Sequence, residues 1–163
     1  PIPGESAVET YLIFKTLHLL GVVLFIGNIV VTGVWKVQAD RTGDPRIVAF
    51  AQRQVIVTDW VFTLGGAMLT AVGGYGNVLF GGVSLATSWV WLGHWIFVAS
   101  GIIWVAVLVP LQARMGRMAK AFAAGGPIPD AYWRANRWWL AVGIADTILP
   151  AANIWVMVNK PVA

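Results

Sequence analysis

Two histidines and two aspartates stand inside stretches that are otherwise apolar: His18, His94, Asp59 and Asp146. Imidazole is a ligand for haem iron and for copper. A carboxylate held away from water must be neutral, paired or solvated by internal water. His18 lies about seven residues into an apolar stretch at 11–35 and His94 about six residues into another at 88–112. At 1.5 Å rise per helical residue, each imidazole is about 10 Å below the same surface if the two stretches run parallel. That depth match nominates His18 and His94 as axial ligands of a haem b, with copper as the competing occupant and packing without any cofactor as the third reading. Gly21 and Gly101, one and two turns beyond the histidines, are expected to leave room for a flat macrocycle, with Phe25, Phe97 and Trp104 as apolar neighbours. Lys15, one turn before His18 on the same face, is placed either to snorkel outward or to pair with a haem propionate. The chain has four Met and no Cys, which argues against a soft-sulfur copper site, although Met68 and Met157 lie within apolar stretches.

The carboxylates sit on polar stripes. Asp59, Thr63, Gly66, Thr70, Gly73 and Asn77 recur at alternating spacings of four and three, which places them on one helix face. Gly143, Asp146, Pro150 and Asn153 repeat the pattern further on. Small and polar residues in such stripes pack membrane helices together. Ionisable ones at membrane depth point to a polar cavity, and Asp59, Thr63, Asp146 and Asn153 are its expected lining. Asp59 is also within reach of Arg53 or a helix end.

The elements that carry these residues are membrane spans. Of 163 residues 58% are hydrophobic and only 11% charged, with a mean hydropathy of +0.74. A soluble domain is nearer 25% charged, and this one could not cover its surface without large apolar patches. Four stretches of twenty or more apolar residues, at about 11–35, 55–79, 88–112 and 138–158, are long enough to cross the hydrocarbon. They lack period-2 alternation, so they read as helices. The expectation is an all-α membrane protein, a single up-down four-transmembrane-helix bundle. The link 80–87 is a tight turn, and the links 36–53 and 113–137 are polar and basic. Helix three continues through 113–124 until Gly125-Gly126-Pro127 stops it.

Nine of the eleven Lys and Arg fall in the first and third links, including Lys36, Arg41, Arg46, Arg53, Arg114 and Arg117. The positive-inside rule then predicts both links in the cytoplasm and both termini on the other side, in a bacterial inner membrane. Trp35, Trp60, Trp89, Trp91, Trp138, Trp139 and Trp155 cluster near span ends as an aromatic belt. The formal charge of +4 and pI near 9.9 do not indicate nucleic acid, because the basic residues lie between spans rather than along one face. With no cysteine, disulfides and iron–sulfur clusters are excluded. Glu5 and Glu9 stand where a signal peptide's basic region would be, so no cleavable signal is expected, and a chain starting at Pro1 is expected to be processed or trimmed. No GxSxG, HExxH, Walker or dinucleotide fingerprint is present.

Lys15-Thr-Leu-His18-Leu-Leu-Gly21, continuing through Gly27 to Lys36 and Asp40, resembles the first helix of the HemJ-type membrane protoporphyrinogen oxidases. Tyr132-Trp-Arg134-Ala-Asn136 and Lys160-Pro161 look like the fourth-helix region of that family. The chain is similar, more loosely, to the CopD-like copper-resistance membrane proteins. Thr58-Asp59-Trp60 and the run ending at Lys36 are similar to a bacterial group of predicted integral membrane proteins of unknown function. The HemJ resemblance implies haem b on His18. It also implies a lysine near the start of the third helix, where this chain has Trp91-Leu-Gly-His94, and an arginine near Val34, where none stands. These departures weigh against porphyrin oxidation and leave haem binding.

Three functions follow as expectations. The first is a haem-b redox protein, whether it carries electrons to quinone or another membrane redox protein or oxidises porphyrin. The second is a metal-handling or transport protein built on the polar stripes. The third is an accessory subunit of a membrane complex without a cofactor. The expected partners are the lipid bilayer, a redox partner in it and a second copy of the chain.

Overall fold

The computed structural model describes residues 5–161, so residues 1–4 and 162–163, with the chain ends themselves, lie outside it. The described residues form four long helices and no strand: α1 Glu5–Arg41, α2 Pro45–Leu79, α3 Ser88–Phe122 and α4 Asp130–Asn159. Each is long and apolar enough to cross a membrane. The expected spans are the apolar parts of longer helices. At 30 to 37 residues, the helices are about 45–55 Å long and project beyond a hydrocarbon core of about 30 Å.

The links are shorter than the polarity pattern suggests. The first is not a loop over 36–53; only residues 42–44 leave the helical conformation. Gly43 turns the chain with φ +63°, a left-handed value that costs glycine nothing. The Asp44 carboxylate then accepts from the N–H groups of Arg46 (2.8 Å) and Ile47 (3.4 Å), and Pro45 occupies the first helical position, so α2 starts at once. The polar side chains of this region lie on helix surfaces. The second link is a turn at 80–87, as expected. In the third, α3 continues to Phe122 and ends just before Gly125, whose φ is +103°. The link is residues 123–129 rather than 113–137.

The helices alternate in direction, giving the bundle a basic end and a far end. At the basic end α2, α3 and α4 pack around one core that includes Val48, Val55, Met115, Phe122, Tyr132 and Trp139, and α1 lies against α2 and α4 beside it. Trp139 is therefore a core residue, not part of an outward belt, whereas Trp60, Trp91, Trp138 and Trp155 are exposed. Lys36 is not a free basic residue of a link. It is wholly buried, with Nζ 2.5 and 2.6 Å from the two Asp40 oxygens and 3.2 Å from Asn136 Oδ1. Asn136 Nδ2 donates to Asp40 Oδ2 (2.9 Å), and the Tyr132 ring lies 5.5 Å from the Lys36 ammonium. Here the carboxylate neutralises a cation that the apolar core could not otherwise hold.

Towards the far end the bundle divides into two hairpins, α1 with α2 and α3 with α4. No Cα of residues 64–79 lies within 8 Å of one in 88–103, and none of α1 approaches 88–103 either. Within the first hairpin the backbones touch. A Cβ on Gly66 would sit 2.6 Å from the Phe25 nitrogen and 2.8 Å from the Gly21 oxygen, and one on Gly73 would strike the backbone of His18. Small residues permit that approach where lipid supplies no hydrophobic drive between helices.

Both α2 and α3 carry a π-helical turn at mid-length, Asp59–Thr63 and Trp104–Leu108. The extra residue in such a turn re-aims the side chains around it. The Trp60 and Trp104 rings meet edge to face at 6.2 Å between the two helices.

Candidate functional site

The two π turns face a cavity of about 150 Å³ at the point where the hairpins diverge. All four helices line it. Asp59 and Thr63 come from α2, Asp146 and Gly143 from α4, Phe25 and Thr32 from α1, and Phe97, Ser100, Gly101, Trp104 and Gln112 from α3. The two polar stripes face one another across this cavity without their backbones coming into contact. Beyond the cavity the α2 stripe turns to α1 through Gly66, Thr70 and Gly73. Asn153, expected in the cavity, instead donates to the Gly93 carbonyl of α3 (2.9 Å) and holds the second hairpin together.

Asp59 makes no use of Arg53, which is exposed over the Phe50 ring. Its Oδ1 accepts from Asn28 Nδ2 (3.0 Å) and Thr63 Oγ1 (2.9 Å), and its Oδ2 from Gln112 Nε2 (2.5 Å). Asn28 also donates to Thr63 Oγ1 (2.9 Å) and accepts from Thr32 Oγ1 (3.1 Å), which lies 3.4 Å from Thr58 Oγ1. Three helices thus supply donors to one buried carboxylate. Asn28 and Gln112 were missed in the sequence. Asn28 and Thr32 are four residues apart on one face of α1, a signal that apolar neighbours mask. Asp146 is as buried as Asp59, but its Oδ1 has no hydrogen-bond partner.

His18 lies where α1 crosses α2. Its Nδ1 is 2.8 Å from the Thr70 carbonyl oxygen. A carbonyl only accepts, so Nδ1 carries the hydrogen, and in the neutral ring Nε2 keeps its lone pair. Metal-bound histidines are oriented in this way, with one nitrogen on a carbonyl and the other presented to the metal. His94 Nδ1 lies 2.9 Å from the Tyr75 hydroxyl, and the ring stands edge-on to Tyr75 and Trp95. Both histidines meet α2 between residues 70 and 75, within two turns of one another.

The other expected neighbours divide into two groups. Phe25, Phe97, Gly101 and Trp104 line the cavity, and the histidines do not. Gly21 leaves no space for a macrocycle, because the α2 backbone at Gly66 and Thr70 fills it. Lys15 is exposed, with its ammonium 5.5 Å from the Tyr11 ring centre. Small-molecule sites measure about 300–1,000 Å³, so the cavity suits water and small ions rather than a porphyrin.

A family model for predicted integral membrane proteins, DUF2269, matches residues 12–161. The chain belongs to the DUF2269 family. Its multi-pass, all-helical membrane character follows from that match and from the four spanning helices together. No curated protein and no solved structure matches the DUF2269 chain. Among the resemblances read in the sequence, the match bears out the one to predicted integral membrane proteins.

Proposed function

We propose that the chain is a membrane redox protein that binds haem b through His18 and passes electrons to quinone or to another membrane redox protein. The observation that carries this reading is the hydrogen bond from His18 Nδ1 to the Thr70 carbonyl, which fixes the ring with Nε2 available to a metal. The resemblance to HemJ-type proteins nominates the same residue. A porphyrin supplies four ligands to its iron, so one or two imidazoles from the protein suffice, and this favours haem over bare copper. Haem supplies one-electron redox chemistry when bound. His18 would hold it, and His94, oriented by Tyr75, is the candidate for the second axial position. The divergence of the hairpins on the far side of the cavity is the part of the bundle with room between helices.

An absorption spectrum of detergent-purified protein, expressed with ample haem, tests this. The wild type should show a Soret band, and His18→Ala should lose it while eluting as the same species on size exclusion. His94→Ala should keep the haem and move it to high spin. A colourless wild type, or full haem in His18→Ala, overturns the assignment.

The same reading places the basic end in the cytoplasm of a bacterial cell. Its support is the run of exposed Arg41, Arg46, Arg53, Arg114, Arg117, Lys120, Arg134 and Arg137, against Lys15 and Lys160 towards the other end. Reporters inserted at Gly43 and Gly125 should both behave as cytoplasmic; periplasmic signals from the two reverse the orientation.

A further inference from the structure

The cavity holds two carboxylates and no cation. Asp59 comes from α2 and Asp146 from α4; α1 and α3 contribute no ionisable side chain, only neutral groups such as Thr32, Ser100 and Gln112. Lys36, the nearest buried base along α1, is already committed to Asp40. Two buried negative charges without a cation are not tolerable in a bilayer, so at least one must be neutralised by something that enters.

The two acids are not equivalent. Asp59 accepts three hydrogen bonds from Asn28, Thr63 and Gln112, an environment that substitutes for water around an anion. Asp146 is 8% exposed, and its Oδ1 has no partner. Trp104 and Trp139, which also line the cavity, have buried indole N–H groups without acceptors. A space of about 150 Å³ with an orphan acceptor and orphan donors on its walls meets the conditions for internal water, which needs room and two to four polar partners.

We propose that this cavity is an intramembrane proton-exchange site, in which Asp146 takes up and releases a proton through water held between it and the hydrogen-bonded Asp59. Protonation neutralises Asp146, and its release leaves a carboxylate facing that water. Asn28, Thr32 and Thr58 extend the hydrogen bonding of Asp59 towards the basic end and hold the carboxylate in place, while the Asn28 amide does not itself pass on a proton. Two of the lining residues, Gly101 and Ile144, are exposed on the bundle surface, so the cavity is not sealed from the lipid side. Proton exchange at this site needs the carboxylates and their water, and no haem.

The test is covalent labelling of the intact protein in detergent with dicyclohexylcarbodiimide, an apolar reagent that reaches carboxyls from lipid and reacts with their protonated form. Mass spectrometry then locates the adduct. The label is expected on Asp146 and not on Asp59, and it should fall away as pH is raised, because only the acid form reacts. D146N should lose it. D146E should regain it at position 146, which separates loss of the carboxyl from loss of the fold. Label on Asp59 alone, or none on Asp146 at any pH, overturns the proposal. Protection by sodium chloride but not by choline chloride at constant pH also overturns it, in favour of a sodium site.

Discussion

The two halves of the bundle are held together by opposite means. At the basic end, large side chains such as Tyr132, Met115 and Val48 fill the space between four helices, and the buried Lys36–Asp40 pair with Asn136 joins α1 to α4. At the far end, α1 and α2 touch backbone to backbone at glycines, α3 and α4 are joined at Gly93 and Asn153, and the two hairpins stand apart. A common side-chain core couples α2, α3 and α4, and the buried Lys36 ties α1 to it. Glycine contacts couple only the two helices that make them, because their reach is a backbone radius. The rigid half therefore fixes the relative placement of two hairpins whose other ends are free to differ. The polar cavity and both π turns lie at the boundary, and the histidines lie in the divided half.

The largest expected effect is at the basic end. Lys36→Met strands the Asp40 carboxylate in the core and should destabilise by about 3–5 kcal/mol. The double variant K36M/D40L should recover most of that, since well-packed apolar replacements of a buried pair are tolerated. Denaturant unfolding in mixed micelles measures both; an unaltered midpoint in K36M would show that the pair does not lock this half.

Next is the glycine interface. Gly66→Leu inserts a side chain where only backbone fits and should cost about 1–3 kcal/mol by overpacking, with α1 and α2 forced apart. Gly27 offers the contrast, because a Cβ there meets nothing within 4 Å. Gly27→Leu should be neutral or stabilising by up to about 1 kcal/mol through helix propensity. Equal losses at both sites would remove the distinction between an interface glycine and a lipid-facing one.

The smallest effect tests how weakly the hairpins are joined. The Tyr75–His94 hydrogen bond is a side-chain link between their far halves. Tyr75→Phe should cost about 0.5–1.5 kcal/mol, the range for one hydrogen bond. Its sharper readout is the separation of spin labels at Leu79 and Trp91, which should broaden if that bond is what holds the gap. An unchanged distribution would assign the spacing to the basic-end core alone.

Composition and periodicity were enough to define the membrane class, the four helices and the polar faces of α2 and α4, because a bilayer imposes length and apolarity on each span separately. The turn chemistry at Gly43-Asp44-Pro45 was present in the sequence too, but the basic residues around it disguised a helix surface as a loop. What one-dimensional pattern could not supply was pairing. The α2 stripe had to face some helix, and nothing in its spacing said that α1 would take Gly66 and Gly73 while α4 shared with it only the cavity at Asp59 and Thr63. Gln112 became a partner of Asp59, and Lys36 a buried base beside Asp40, only when distant helices were brought together. Spacing along a helix fixes which residues share a face, whereas the neighbour that face meets depends on the packing of the other three helices, and that was decided by the tertiary structure.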